Sequence, residues 1–233
     1  MLDWTDITTG LKLLQRKRIL AYVIADPRET MHCNNQDSAR EKSKVQSGLI
    51  FNFAMLVVVL ASLLIAPGAD GLLGAYLAAL MLAIACNDAR HYLIPNELTA
   101  AAFGLALIRS ALVMPNAAVS SLLWVALRAL AVGLPLLLLL LFYRHWRGRE
   151  GLGLGDVKLA AVAGAWLELT TAAAVIELAA LSAIATYVAN AVVQKRSLRA
   201  TAFLPFGLFL APSIWIGWLS ERALLRWEHL LPG

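Results

Sequence analysis

Two aspartates in this 233-residue chain stand where a carboxylate is expensive. Asp88 closes the apolar run Leu72 to Cys86, and Asp156 opens the run Val157 to Leu169 behind three alternate glycines, Gly151, Gly153 and Gly155. A charge at the edge of a lipid-embedded helix carries a free-energy penalty, which makes each a candidate functional residue. Together they suit one chemistry, acid/base hydrolysis of a peptide bond. One carboxylate, ionised, takes a proton from water, and the other, protonated, polarises the scissile carbonyl. Like charges in close range do not both ionise easily, so such a pair shares a proton and titrates as a unit. The positive end of the helix that Asp156 opens favours its ionised form, which makes Asp156 the expected base and Asp88 the expected acid.

Each aspartate taken singly has a plainer reading. Asp88 reads as an interfacial charge bounding a helix, and Asp156 as a helix cap accepting backbone N–H groups. The glycines before Asp156 supply backbone freedom and close approach. A phosphate-binding loop is excluded there, because no strand precedes the glycines and the Gly-Lys-Ser/Thr ending is missing. Lys158, two residues on, is expected to act on Asp156 or to anchor at the interface. Pro95 and Asn96 start the next helix, since proline tolerates the first turn and asparagine suits a helix entry.

These residues need helices to position them. The chain is 60% hydrophobic and 15% charged, and its apolar residues gather in uninterrupted runs, so the sequence predicts an all-α polytopic membrane protein. The runs are 49–66, 72–86, 98–114, 117–142, 157–169, 172–193 and 203–219, giving about six to seven transmembrane helices. Full spanning takes roughly 20 apolar residues, which the fourth and sixth runs supply and the 13-residue fifth does not. Thr170-Thr171 is the expected turn between the fifth and sixth, and Gly133 with Pro135 is an expected kink in the fourth. Residues 1–48 carry eight Lys or Arg and six Asp or Glu, a polar cytoplasmic or interfacial extension before a membrane domain at 49–219 and a tail at 220–233.

The net charge of +5 does not indicate nucleic acid, because the basic residues lie between apolar runs rather than along one polar face. They read as topology signals. With the amino terminus inside, loops 87–97, 143–158 and 194–200 carry Arg90, Arg144, Arg147, Arg149, Lys158, Lys195, Arg196 and Arg199, while 67–71 and 115–116 carry none. Both aspartates then face the cytoplasm, and Arg222 and Arg226 are the discordant charges. Within the runs, Arg109 is expected to snorkel to an outer interface, and Arg128 to be structural, with Glu177 a possible partner. His91 and His145 have no metal-spaced companions, and Cys33 and Cys86 form neither a CxxC motif nor a disulfide framework. No metal or cofactor is expected.

Asp88 followed by Leu93-Ile94-Pro95-Asn96 and Leu98-Thr99, with Gly153-Leu154-Gly155-Asp156-Val157-Lys158-Leu159 arriving 68 residues after Asp88, resembles the type IV prepilin peptidase family of GxGD membrane aspartyl proteases. Gly164-Ala165-Trp166-Leu167 and Leu204-Pro205-Phe206-Gly207 extend the likeness over about residues 50–219. The resemblance implies that Asp88 and Asp156 are catalytic, that Gly153, Gly155, Lys158, Pro95 and Asn96 shape the site or the substrate path, and that no cofactor is used. It implies a bacterial inner-membrane enzyme that removes the basic leader of type IV prepilin-like precursors at the cytoplasmic face, in pilus biogenesis or protein secretion, with those precursors and the lipid bilayer as its partners. Larger members also methylate the new amino terminus and carry paired CxxC motifs, which this chain lacks. Glu168 stands where the family usually has glycine, and Leu208 where proline is common. Two other classes accommodate paired intramembrane carboxylates or the helices alone, a proton-coupled transporter and a non-catalytic assembly subunit; the transporter predicts inverted repeats and interrupted helices, which are not evident.

Overall fold

The computed structural model describes residues 48–49, 51–113, 118–147, 153–195 and 205–230. The extension 1–48 apart from Gly48, Gly151, Arg149, Arg196, Arg199 and Leu204 lie outside the described residues. Among the described residues seven helices follow in order: α1 Phe51–Ile65, α2 Ala69–His91, α3 Asn96–Val113, α4 Ala118–Arg147, α5 Leu154–Trp166, α6 Leu169–Val193 and α7 Phe206–Leu230. No strand occurs among the described residues. The chain divides between Phe53 and Ala54 into two units, and the helices that build the site belong to the second.

Each helix falls on one of the expected apolar runs, as the pairing of backbone groups within a helix demands in lipid. Three are long and apolar enough to cross a membrane, α2, α4 and α6. The second run lengthens from 15 apolar residues to a 23-residue helix because Ala69-Asp70-Gly71 and Asn87 to His91 join it. Large apolar side chains such as Leu127, Leu130, Leu138, Leu178, Leu181 and Ile184 face outward, the expected arrangement for an all-α membrane protein whose solvent is lipid.

The 13-residue α5 is short because it is the core and not a span. Val157, Leu159, Ala160 and the whole stretch Val162–Trp166 are buried, and a helix apolar on every side belongs inside a bundle. It packs against α3, α4, α6 and α7. Small residues make that packing close. The Arg128 carbonyl of α4 lies where a side chain on Gly164 would be, 2.5 Å from an added Cβ, and Gly133 meets Ala161 in the same way at 3.0 Å. Gly133 therefore serves contact between α4 and α5. Across the bundle, the fully buried Trp218 of α7 lies over Gly74 of α2, at 1.9 Å from an added Cβ.

The turn between α5 and α6 falls one step earlier than expected. Leu167 and Glu168 are extended, and Thr170 and Thr171 lie inside α6. The physical reason is a tertiary bond: the Glu168 N–H at the helix entry donates to Glu221 Oε1 of α7 at 2.8 Å, satisfying an amide that no local side chain caps.

Candidate active site

Asp88 is in the last turn of α2, buried to 5% exposure. The helix ends four residues on because Tyr92 adopts the left-handed conformation, φ 54°, with its N–H donating to the Asp88 carbonyl at 2.9 Å. Asn87 Nδ2 then donates to the Leu93 carbonyl at 2.6 Å and folds the connection back. Pro95 precedes α3, its carbonyl accepting the Thr99 N–H at 3.3 Å, so the chain enters α3 as the Pro-Asn pair predicts. The buried Thr99 also donates through its hydroxyl to the Asn96 carbonyl at 2.9 Å.

Asp156 arrives from the other side at the start of α5. It is not the cap. Gly153 holds that position, and Asp156 is the third helical residue, reaching back so that the Gly153 N–H acts on its carboxyl. The glycines supply room rather than unusual dihedrals. A Cβ on Gly153 would sit 3.2 Å from Asp156 Oδ2, and one on Gly155 would meet Ile94 at 3.0 Å. Lys158 does not act on Asp156: its Nζ donates to Asn96 Oδ1 at 2.7 Å, bracing the start of α5 against the start of α3. Residues two apart on a helix face different ways, which sends the ammonium and the carboxylate in different directions.

A third helix end completes the site. The Leu208 N–H, at the start of α7, donates to Asp88 Oδ2 at 2.9 Å. The approach requires glycine at 207, since a Cβ there would lie 2.9 Å from Asp88 Oδ2 and 2.7 Å from Ile94 Cδ1. Ile94 is thus wedged between Gly155 and Gly207, the neighbours of the two carboxyl-bearing segments. The sequence motifs around Asp88 and Asp156 are brought together, with Gly153, Gly155, Pro95, Asn96 and Lys158 around them. Gly207, Leu208 and Ile94 were not among the expected site residues. The signal for them was Pro205-Phe206-Gly207 heading an apolar run, a helix entry whose free N–H groups must be satisfied.

Asp156 precedes its apolar run and lies outside the three spanning helices. Burial first, and then the charge of Asp88, push its carboxyl from the ordinary 3.8 up to about 6, against a smaller opposing effect of the Gly153 N–H. Among the described residues no three His, Cys, Asp or Glu side chains gather into a metal site.

The model of the type IV leader peptidase family matches residues 75–189, a stretch that holds both Asp88 and Asp156. The leader peptidase HopD of Escherichia coli is 33% identical over 148 residues, 63% of this chain and 86% of that protein. The prepilin leader peptidase/N-methyltransferase of Aeromonas hydrophila is 28% identical over 179 residues, 74% of this chain and 57% of that protein. Its counterpart from Klebsiella pneumoniae is 39% identical over 111 residues, 47% of this chain and 46% of that protein. The chain therefore spans about half the length of these last two relatives. No solved structure matches it. On the coverage of HopD and the family match, the chain belongs to the type IV leader peptidase family.

Proposed function

We propose that this chain is a membrane aspartyl endopeptidase that removes the basic leader of type IV prepilin-like precursors, working at the cytoplasmic face of the bacterial inner membrane. The observation that carries the proposal is the convergence of three helix ends: α2 brings Asp88, α5 brings Asp156, and α7 brings the Leu208 N–H that fixes Asp88. The loop charges favour the cytoplasmic side for these ends. A precursor's apolar helix can then lie against the bundle while its basic leader stays in the cytoplasm, with the junction at the depth of the two aspartates.

In this reading the two carboxyls share one proton and titrate as a unit, burial and the neighbouring charge of Asp88 disfavouring ionisation at Asp156. The ionised member of the pair takes a proton from water as the water oxygen attacks the scissile carbonyl carbon. The protonated member donates its hydrogen bond to the carbonyl oxygen as that oxygen gains charge. Collapse of the tetrahedral intermediate breaks the C–N bond, and the proton taken from water passes to the leaving amine. The proposal covers peptide cleavage alone. HopD, the relative most fully covered, is named a leader peptidase, and this chain has no CxxC motif. Family membership weighs against the transporter and assembly-subunit readings.

Co-expression with a prepilin-like precursor tests it, read as the shift of the precursor to its mature size. Asp88→Asn and Asp156→Asn should each abolish the shift while the protein remains in the membrane. Normal processing by Asp156→Asn sinks the dyad.

A further inference from the structure

At the opposite end of the bundle lies a cavity of about 640 Å³ with Arg109, Arg128, Arg222, Glu168 and Glu221 in its walls. Most of these charges are already committed. Arg109 Nε lies 2.7 Å from Asp70 Oδ1 and its Nη1 donates to the Trp166 carbonyl at 3.2 Å. Arg222 Nε stands 2.9 Å from Asp70 Oδ2, an ion pair without the angle of a hydrogen bond. Glu221 accepts the Glu168 N–H.

Glu221 has no ion pair beyond that bond, and two charged groups in the same walls make neither an ion pair nor a side-chain hydrogen bond among the described residues. Arg128, ten residues into α4, has its Nε buried without a hydrogen-bond partner, and its guanidinium makes no ion pair among the described residues. The Glu168 carboxylate, on an exposed residue, likewise makes none. Both line one cavity, yet they do not pair with each other, so their charged groups stand more than ion-pair distance apart. Arg128 is held in place through its backbone, packed on Gly164. An uncompensated guanidinium at membrane depth calls for an anionic partner. A ligand that satisfies both groups carries an anion and a cation on one short frame.

The cavity is also walled by Trp124, Leu224 and Leu225, which are exposed apolar side chains on the lipid-facing surface. Trp124 is one turn of α4 before Arg128, and tryptophan favours the membrane interface, which puts Arg128 near headgroup depth. We infer that this cavity binds the headgroup of a phosphoethanolamine phospholipid: its phosphate on Arg128, its primary ammonium on Glu168, its acyl chains leaving over Trp124, Leu224 and Leu225. A bare phosphate or a glycerol headgroup leaves Glu168 without a cation, and a quaternary ammonium cannot donate a hydrogen bond to it.

Native mass spectrometry of the delipidated full chain, titrated with phosphatidylethanolamine, phosphatidylcholine, phosphatidylglycerol or soluble O-phosphoethanolamine, tests the inference. One phosphatidylethanolamine should bind about tenfold or more tighter than the other two lipids, the scale of one or two charge-assisted hydrogen bonds. Arg128→Met should weaken it by about tenfold or more. Glu168→Gln should erase the preference over phosphatidylglycerol while phosphate affinity persists. Glu177→Gln, exposed on α6 and outside the cavity, should change nothing. Equal binding of the three lipids, or an unchanged preference in Glu168→Gln, overturns the site. Should Arg128→Met fail to fold, the Glu168 variant decides alone. Soluble O-phosphoethanolamine binding as tightly as the lipid overturns the lipid source.

Discussion

The two polar ends of the bundle solve opposite problems with similar means. At one end Asp88 and Asp156, two like charges, are held together by helix ends and glycines. At the other, Asp70 lies between two opposite charges, Arg109 and Arg222, with Arg109 also 5.3 Å from the centre of the Trp166 ring. Ten residues of α5, about 15 Å of helix, separate Asp156 from Trp166. The Asp70 end lowers the free energy of the fold. The Asp88 end raises it, because two carboxylates buried close together disfavour each other's ionisation, a cost that the proposed function would turn to reaction. Damage to the first should therefore appear in stability, and damage to the second in activity.

The largest separation of the two is expected from Gly207→Ala. Its Cβ meets Asp88 Oδ2 and Ile94 Cδ1, so cleavage of a co-expressed precursor should fall by about 100-fold, the scale of a small misplacement of a catalytic group, with little change in membrane level. Processing at the wild-type rate would show that the contact between Asp88 and the start of α7 is idle.

Asp70→Asn is the mirror image. It leaves two arginines without their counter-ion, and since these groups are partly exposed, we expect a loss of about 1–3 kcal/mol, measured as a lower thermal midpoint in detergent. Activity per folded molecule should be unchanged; a proportionate fall in turnover would mean that the two ends are coupled.

Asp156→Asn sharpens the comparison through pH. The folded-state value near 6 lies above the ordinary 3.8, so the protonated carboxyl is favoured by folding. That contribution is fully present below about pH 3.8 and is lost as pH rises through about 6. The Asn variant should equal the wild type in stability at low pH and exceed it above pH 6, by at most about 3 kcal/mol. A constant difference across that window would show that Asp156 is not perturbed.

The smallest effect belongs to Lys158→Met. Its bond to Asn96 is exposed, and its loss should cost under about 1 kcal/mol and lower cleavage a few-fold in a steady-state assay. A loss as deep as that of the aspartate variants would move Lys158 from bracing to chemistry.

Much of this was legible beforehand. Apolar runs mark helices because lipid leaves the backbone no other partner, and each of the seven runs holds one of the seven helices found among the described residues. The pair Asp88 and Asp156 was legible because charges at the ends of apolar runs demand a reason. The misreadings share a cause. Arg109 does not snorkel: at 12% side-chain exposure it is paired with Asp70, which lies 39 residues earlier. Glu177 is exposed and makes no pair with Arg128. Arg222 and Arg226, discordant as topology signals, are committed to Asp70 and to the Leu64 carbonyl.

By itself the sequence determined the class of molecule, the place of its helices and the two carboxyl groups that stand out, because hydrophobic length and backbone satisfaction are local properties of a chain in lipid. Tertiary structure alone decided what faces each charge. It put the start of α7 on Asp88, 120 residues away, and turned Lys158 to Asn96 instead of Asp156. It also made the shortest apolar run the buried centre of the bundle. Coulomb and hydrogen-bond energies act over a few ångström, and helix packing, not sequence separation, sets those distances.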